Sequence, residues 1–269
     1  MTPPSLSPVI LITGASSGIG AATARRFARQ GYRTALAARR VERLQALADE
    51  IQTAGGQALV LPTDVARLDE IQAMVQRTLE AWGQIDVLFN NAGFGRMDWL
   101  EKLDPQEDIA AQVQVNLIGL IQISRAVLPH MIARRQGHII HMCSVAGLVA
   151  TPTYSVYAAA KFGVRGFTDA LRREVGIHSV RVSGIYPGSV DNEFGLLAHR
   201  RRKTRIGTLA RLRLTSEQVA EAVWGLARRP RRSLVLPWPM GALAWLAALF
   251  PGPADWIMEW VFVRRERQG

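Results

Sequence analysis

Thr13-Gly-Ala-Ser-Ser-Gly-Ile-Gly20 follows the apolar, β-branched run Val9–Thr13 without a break and opens directly into a helix-period stretch that reaches Gln30. Glycines at 14, 18 and 20 let the backbone turn sharply and lie close to a bound group, while free N–H groups and the dipole at a helix start favour an anion such as a pyrophosphate. Glycines also serve ordinary tight turns. The position of this loop between a strand and a helix favours the phosphate role. The same strand–helix unit recurs along the chain. Strands are expected at Val9–Thr13, Thr34–Ala38, Ala58–Pro62, Val87–Asn90, His138–Met142 and Arg181–Tyr186, with helices at Gly18–Gln30, Val41–Ala54, Leu68–Trp82, Pro105–Arg135 and Tyr154–Val175. That alternation predicts an α/β fold, a doubly wound parallel sheet with helices on both faces. No repeat, low-complexity linker or second domain start precedes Val190. Beyond it come a basic stretch, a helix near Thr215–Arg228, a strand Ser233–Leu236 and a tryptophan-rich apolar tail. The expected organisation is one domain over residues 1–236 and an apolar, aromatic helical extension over 237–269.

A chain of 269 residues that is 48% hydrophobic and 20% charged is not a disordered tail protein and can bury a large core. Its 33 basic and 22 acidic side chains give a net charge of +11. The 79 residues after Val190 hold 14 basic and 7 acidic groups, hence +7 of that total, so an electrostatic partner should meet the C-terminal part. Charge alone suggests nucleic acid, but no base-reading motif accompanies it, and no nucleic-acid partner is expected. The single cysteine, Cys143, permits no intramolecular disulfide and suits a reducing compartment. At the end of an apolar strand it reads as a buried structural thiol, not a nucleophile. The five histidines are scattered, His138 and His141 among them, and no acidic or cysteine cluster completes a metal site. Residues Met1–Pro8 lack a basic stretch followed by a long apolar run, so a signal peptide is not expected and the cytoplasm is the default location.

The spacing Gly14, Gly18, Gly20, together with Asn90-Asn-Ala-Gly93 at the end of the fourth strand, resembles the short-chain dehydrogenase/reductase family over roughly residues 9 to 235. The resemblance implies a single-domain Rossmann fold that binds NAD or NADP. It places cofactor contacts at Gly14, Ser16, Ser17, Gly18, Ile19 and Gly20 in the first loop, at Asn91, Ala92 and Gly93, and at Asp64 and Val65, which match the family's adenine-contacting pair. Asp64 is equally explained as a helix N-cap. Pro187, Gly188 and Val190 match the family's segment beneath the nicotinamide carboxamide, although Asn192 stands where a threonine is common. At the end of the second strand the chain reads Ala37-Ala38-Arg39-Arg40, with no carboxylate to accept from ribose hydroxyls. Arginine's planar fork suits a 2′-phosphate, so NADP is the expected cofactor. The competing view is two solvated arginines at a helix start.

Tyr157 and Lys161 lie four apart on an expected helix and therefore share a face. A phenol has a pKa of about 10, and a nearby ammonium favours its ionised form. Tyr154 has Ala158 at the same spacing and no such partner. Ser144 closes the fifth strand thirteen residues before Tyr157, and its hydroxyl could bond a substrate oxygen beside the tyrosine. Asn116 is a poor helix former inside a long helical stretch. In the resembling family the matching residues form a tetrad. Serine polarises the carbonyl, tyrosine is acid/base, lysine lowers the tyrosine pKa and holds the nicotinamide ribose, and asparagine maintains a water in the proton relay. The implied activity is an NADP(H)-dependent oxidoreductase interconverting an alcohol with a ketone or aldehyde, with Tyr157 as acid/base. A non-catalytic cofactor-binding sensor or scaffold is the alternative. The resemblance also implies a homo-oligomer, dimer or tetramer, built on the helices around Asn116 and Tyr157. Steroids, lipid ketones, sugars and simple aldehydes all remain open as substrates.

His199-Arg-Arg-Arg-Lys-Thr-Arg205 carries five cations in seven residues beside the expected substrate mouth. It reads as a solvated loop or as an attractor of an anionic or membrane-borne substrate. From Leu234 to Phe250 no residue is charged, and Trp238, Trp245, Trp256 and Trp260 crowd the tail. The apolar helix Gly241–Phe250 is about half the roughly 20 residues a membrane span needs, and prolines interrupt the run. Burial against the domain or a partner subunit is the first expectation. Peripheral contact with an anionic membrane through the tail, flanked by arginines on both sides, is the second.

Overall fold

The computed structural model describes residues 7–198 and 213–267. The cation run His199–Arg205 lies outside them. Seven parallel strands form one sheet in the order β3-β2-β1-β4-β5-β6-β7. They are β1 (Val9–Thr13), β2 (Arg33–Ala38), β3 (Gln57–Pro62), β4 (Val87–Asn90), β5 (Gly137–Met142), β6 (Val180–Pro187) and β7 (Ser233–Leu236). The helices are α1 (Gly18–Ala28), α2 (Val41–Thr53), α3 (Leu68–Trp82), α4 (Pro105–Arg134), α5 (Ser155–Val175), α6 (Glu193–Ala198), α7 (Ser216–Arg228), α8 (Trp238–Leu249) and α9 (Pro251–Ile257). A further helical stretch continues from Met258 to Arg267. This is a Rossmann-like doubly wound sheet in a single domain, as expected. Element ends agree with the sequence expectation to within one or two residues, except that α8 starts three residues earlier, at Trp238. Tyr154, expected as the first residue of α5, instead stands just outside it as the N-cap.

The strands are legible because they are buried on both faces. All five residues of β1 are buried, and successive side chains enter opposite layers. Ile10 and Ile12 join Phe27, Leu36, Ile185 and Trp224 in one layer, while Leu11 joins Ile71, Leu88, Ile123 and Ile139 in the other. Each such side chain contributes about 1.5–3 kcal/mol of burial. A one-residue slip of β1 would reverse both layers. In the first layer Phe27 meets Tyr32 and Trp224 edge-on, with centroids 5.0 and 5.1 Å away, fixing α1 against α7. The start of α7 is held by a capping box between Thr215 and Gln218, which satisfies two otherwise free N–H groups.

Helix α4 is long and apolar enough by composition to cross a membrane, yet Leu120, Ile123, Val127 and Met131 are buried under the sheet. Two π-helical turns interrupt it, at Pro105–Ala110 and Gln114–Gly119, and Asn116 sits in the second. His138 and His141 are core side chains. His141 bridges Ser124 and Thr168 at 2.9 and 2.8 Å, and burial pushes its pKa down to about 3. His138 pairs with Ser183 at 2.9 Å, and burial lowers its pKa to about 4.

Candidate active site

The strand order reverses at β1, whose neighbours are β2 and β4. In such sheets the crevice beyond the carboxyl ends at this point takes ligands. The loops after β1, β2, β3, β4, β5 and β6 all open on that edge. Between them they carry most of the site residues expected from sequence; Gly18, Ile19 and Gly20 stand in the first turn of α1, Pro187 ends β6, and Asn116, Tyr157 and Lys161 lie on α4 and α5.

The glycine loop is fitted tightly. Gly14 has φ +68°, and a Cβ there would lie 2.9 Å from the Ala92 Cα. A Cβ on Gly20 would overlap the carbonyl of Gly14. Both glycines therefore allow close packing of this loop on the Asn91–Gly93 segment. Gly18 has φ +53° and faces the Asn192 amide. Ser17 is the N-cap of α1 but makes no side-chain capping bond, and the first turn holds no acid. The first N–H groups of α1 thus have no side-chain cap, an arrangement that suits an anion. The residues fit a pyrophosphate.

Thr13 ties this loop to the next one. Its hydroxyl accepts from the N–H groups of Asn91 and Ala92, both at 3.0 Å, and donates to Asn90 Oδ1 at 3.3 Å. Asn91 Nδ2 donates to the Thr13 carbonyl at 2.9 Å. The sequence offered no signal for Thr13 beyond its place at the strand end. Asn192, where the family often has a threonine, accepts from the Gly195 N–H at 3.3 Å and so braces α6.

Arg40 turns into the glycine loop. Its Nε donates to Ser16 Oγ at 3.2 Å and its Nη2 to Ser17 Oγ at 2.7 Å. Its Nη1 donates to both carboxylate oxygens of Glu193 at 2.9 Å, and Arg43 Nη1 donates to Glu193 Oε2 at 2.9 Å. The Arg40 hydrogen bonds hold the Glu193 carboxyl below its usual range. Glu193 was not singled out in the sequence, because its partners lie about 150 positions away. Arg39 remains largely exposed, 4.0 Å from Asp64. Asp64 is not a helix N-cap. It accepts from the Ala66 N–H at 3.0 Å in a local turn, and Arg67 stands at the N-cap of α3. Val65 is buried, and its carbonyl closely approaches Gly119.

At the other end of the crevice Tyr157 is buried, flanked by Tyr154 and Phe194 with ring centroids 6.5 and 5.8 Å away. Met97, Ala146 and Ala198 complete an apolar cluster around it. Burial raises the Tyr157 pKa, and a hydrogen bond with Ser144 acts in the opposite sense. Lys161 Nζ donates to the Met142 carbonyl at 2.9 Å and stands 5.6 Å from the Tyr157 ring centroid, and burial lowers its own pKa. Ser144 Oγ accepts from the Ala146 N–H at 3.1 Å. Asn116 holds the loop after β4 by a two-point pair, its Oδ1 accepting from Phe94 N–H at 3.0 Å and its Nδ2 donating to the Phe94 carbonyl at 2.7 Å. The π turn presents this amide. Cys143 is buried, with its thiol pKa pushed up to about 11 by burial. Gly188, after β6, packs beside Leu236 and Met240. Val190 pairs with Leu214 through an isolated bridge.

A family model described as short chain dehydrogenase matches residues 8–201. The chain belongs to this family. The Salmonella typhi protein named NADP-dependent 3-hydroxy acid dehydrogenase YdfG is 38% identical over 233 residues, covering 82% of this chain and 90% of that one. A metagenomic short-chain oxidoreductase solved with NADP superposes with a TM-score of 0.74 at 35% identity, over 86% of this chain and 97% of the other. A Burkholderia phymatum short-chain dehydrogenase/reductase solved with NAD gives 0.82 at 27% identity, over 91% and 94%. This short-chain dehydrogenase is thus an oxidoreductase of a family that uses nicotinamide cofactors.

Proposed function

We propose that the protein interconverts an alcohol with a ketone or aldehyde, using NADP(H), with Tyr157 as acid/base. The observation that carries this is the buried Tyr157 hydrogen-bonded to Ser144, beside Lys161 and at the same sheet edge as the glycine loop. Gly14, Gly18, Gly20 and the N–H groups opening α1 would hold the pyrophosphate. Arg39, Arg40 and Ser16 would hold the 2′-phosphate, since a guanidinium fork and a hydroxyl are matched to it and no carboxylate ends β2. Asp64 and Val65 would flank the adenine. Asn91 to Gly93, Pro187, Gly188 and Val190 would line the nicotinamide end. The bound cofactor supplies or accepts the hydride.

The chain's own groups manage the proton. In the reducing direction Tyr157 Oη gives its proton to the substrate oxygen, which Ser144 Oγ holds in place. The resulting phenolate is stabilised by the Lys161 ammonium and reprotonated from solvent. Asn116 keeps the Phe94 backbone, and with it the cleft wall, in position. Beside Tyr157 the cleft is apolar, being lined by Met97, Tyr154 and Phe194, which supports a hydrophobic carbonyl over a sugar. A homo-oligomer built on α4 and α5 is supported by Ile118 and Phe162, which remain exposed on those helices. A cytoplasmic location suits a chain with a single, buried cysteine.

The test is NADPH oxidation across a panel of ketones, aldehydes and quinones, with Tyr157→Phe as control. Turnover of a confirmed substrate is expected to fall about 10²–10⁴-fold in the variant. An unchanged rate would remove the role, and tighter binding of NADH than of NADPH would remove the cofactor assignment.

A further inference from the structure

We propose that Gln112 and Asp108 are positioning residues for the reaction: with Asn116 they form a polar row on α4 that fixes the loop after β4, and so the place of Met97 over Tyr157 and the fit of the substrate. Asp108, Gln112 and Asn116 stand four residues apart on α4 and are 1, 0 and 0% exposed. Four residues of α-helix turn through about 400°, so such a row drifts sideways by about 40° at each step. The wider π turns at Pro105–Ala110 and Gln114–Gly119 offset that drift and keep the three on one face. A helix packed on a protein usually carries apolar residues there. Three buried polar groups need partners instead, and they find them in the loop after β4.

The pairing runs residue by residue. Asn116 holds both backbone groups of Phe94. Gln112 does the same for Arg96, its Oε1 accepting from the Arg96 N–H at 2.9 Å and its Nε2 donating to the Arg96 carbonyl at 3.4 Å. The same Nε2 donates to the Asp108 carbonyl at 2.6 Å, which fixes the amide's orientation. Asp108 then takes the arginine side chain. Its Oδ1 lies 3.6 Å from Arg96 Nε, and its Oδ2 accepts from the Asp104 N–H at 3.1 Å.

Residues 95 and 97 meet the other side. A Cβ on Gly95 would lie 3.2 Å from Phe194 and 3.4 Å from Ala198, and the Met97 N–H donates to the Ala198 carbonyl at 3.0 Å. Met97, Phe194 and Ala198 pack with Tyr157 in one cluster. The loop is therefore one chain thick, with α4 behind it and the reacting tyrosine in front. Apolar contacts of constant volume tolerate small slides, whereas hydrogen bonds to N–H and C=O have direction and hold a backbone in register. With so little slack at Gly95, a loop released at Arg96 carries Met97 with it and changes the shape of the cleft. The glycine loop is tied separately, through Thr13 to Asn91 and Ala92, and does not depend on Gln112. That the cleft receives a carbonyl substrate rests on the reading given under Proposed function. The clamp itself does not, and one arm of its test needs no turnover.

Gln112→Met removes three hydrogen bonds at nearly constant volume, so a role in packing alone predicts wild-type behaviour. Amide hydrogen exchange is read on the full-length protein. In the wild type residues 94–97, which belong to no helix or strand, should be protected to the level of α4. In Gln112→Met their exchange should rise about tenfold or more, while Gly14–Gly20 is unchanged and the NADPH Kd stays within about twofold. Gln112→Glu keeps the acceptor for the Arg96 N–H and should recover part of the protection. The second arm follows NADPH oxidation with acetone, acetophenone and 4-tert-butylacetophenone. For the ketone best reduced by the wild type, KM should rise about tenfold in Gln112→Met with kcat within about threefold. Open-loop exchange at 94–97 in the wild type overturns the proposal without any variant. So does wild-type exchange in Gln112→Met, or a loss of NADPH affinity as large as the rise in KM. If the wild type reduces no ketone, aldehyde or quinone, the functional reading falls and the exchange arm alone decides the clamp.

Discussion

Glu193→Gln should tighten NADPH binding. In the structure Glu193 occupies the fork of Arg40 through both carboxylate oxygens at 2.9 Å and takes a further bond from Arg43 at 2.9 Å. If Arg40 receives a 2′-phosphate, that carboxylate competes with it for the same N–H groups and repels it. The three side chains are one-third to one-half exposed, so each pair is worth a fraction of 1 kcal/mol and the two together about 1 kcal/mol. Removing the charge therefore lowers the NADPH Kd about fivefold. NADH, lacking the phosphate, should change less than about twofold. Calorimetric titration of both cofactors at low and high salt measures this, and the difference should shrink as salt screens the pairs. Because Glu193 opens α6, whose Phe194 packs on Tyr157, release of the pair should also loosen the cleft and raise the substrate KM. Weaker NADPH binding in the variant, or an equal gain for NADH, would refute the competition.

Three other outcomes are expected. Gly20→Ala places a Cβ onto the Gly14 carbonyl, costing about 1–3 kcal/mol of stability and abolishing cofactor binding; a variant with wild-type melting and titration would contradict that packing. His141 and His138 stay neutral when folded, with pKa values of about 3 and about 4, against about 6.5 unfolded. Their contribution is complete above pH 6.5 and is lost as pH falls toward those folded values, about 2–3 kcal/mol per histidine by pH 4.5. Denaturant unfolding of wild type and His141→Gln at pH 7 and 4.5 reads it, the loss on acidification being smaller in the variant, and an equal loss would exclude the histidine. Asn116→Ala removes both bonds to Phe94 and should lower kcat while NADPH binding persists; loss of cofactor affinity alone would place Asn116 elsewhere in the chemistry.

What sequence could and could not show follows from the range of the interactions involved. Strand and helix positions emerged because β1, β2, β4 and most of β6 are buried on both faces and so appear as local apolar runs. The glycine loop was legible for a related reason. Its glycines answer steric demands that no other residue meets, and their spacing survives in one dimension. The set Asn116, Ser144, Tyr157 and Lys161 could be named from order and spacing, but the burial of Tyr157 could not. That depends on packing by Met97, Phe194 and Ala198, which come from the loop after β4 and from α6, both distant in sequence. Glu193 was invisible for the same cause: an acid opening a short helix looks like an ordinary first-turn residue until Arg40 and Arg43 are brought beside it. The tail reverses the logic. Its composition argues first for burial, since apolar runs usually enter cores, and only the exposure of Trp238, Trp245 and Trp256 shows that the domain does not cover them. An apolar run thus specifies that water must be excluded, and the folded chain decides whether the protein itself or something outside it performs that exclusion.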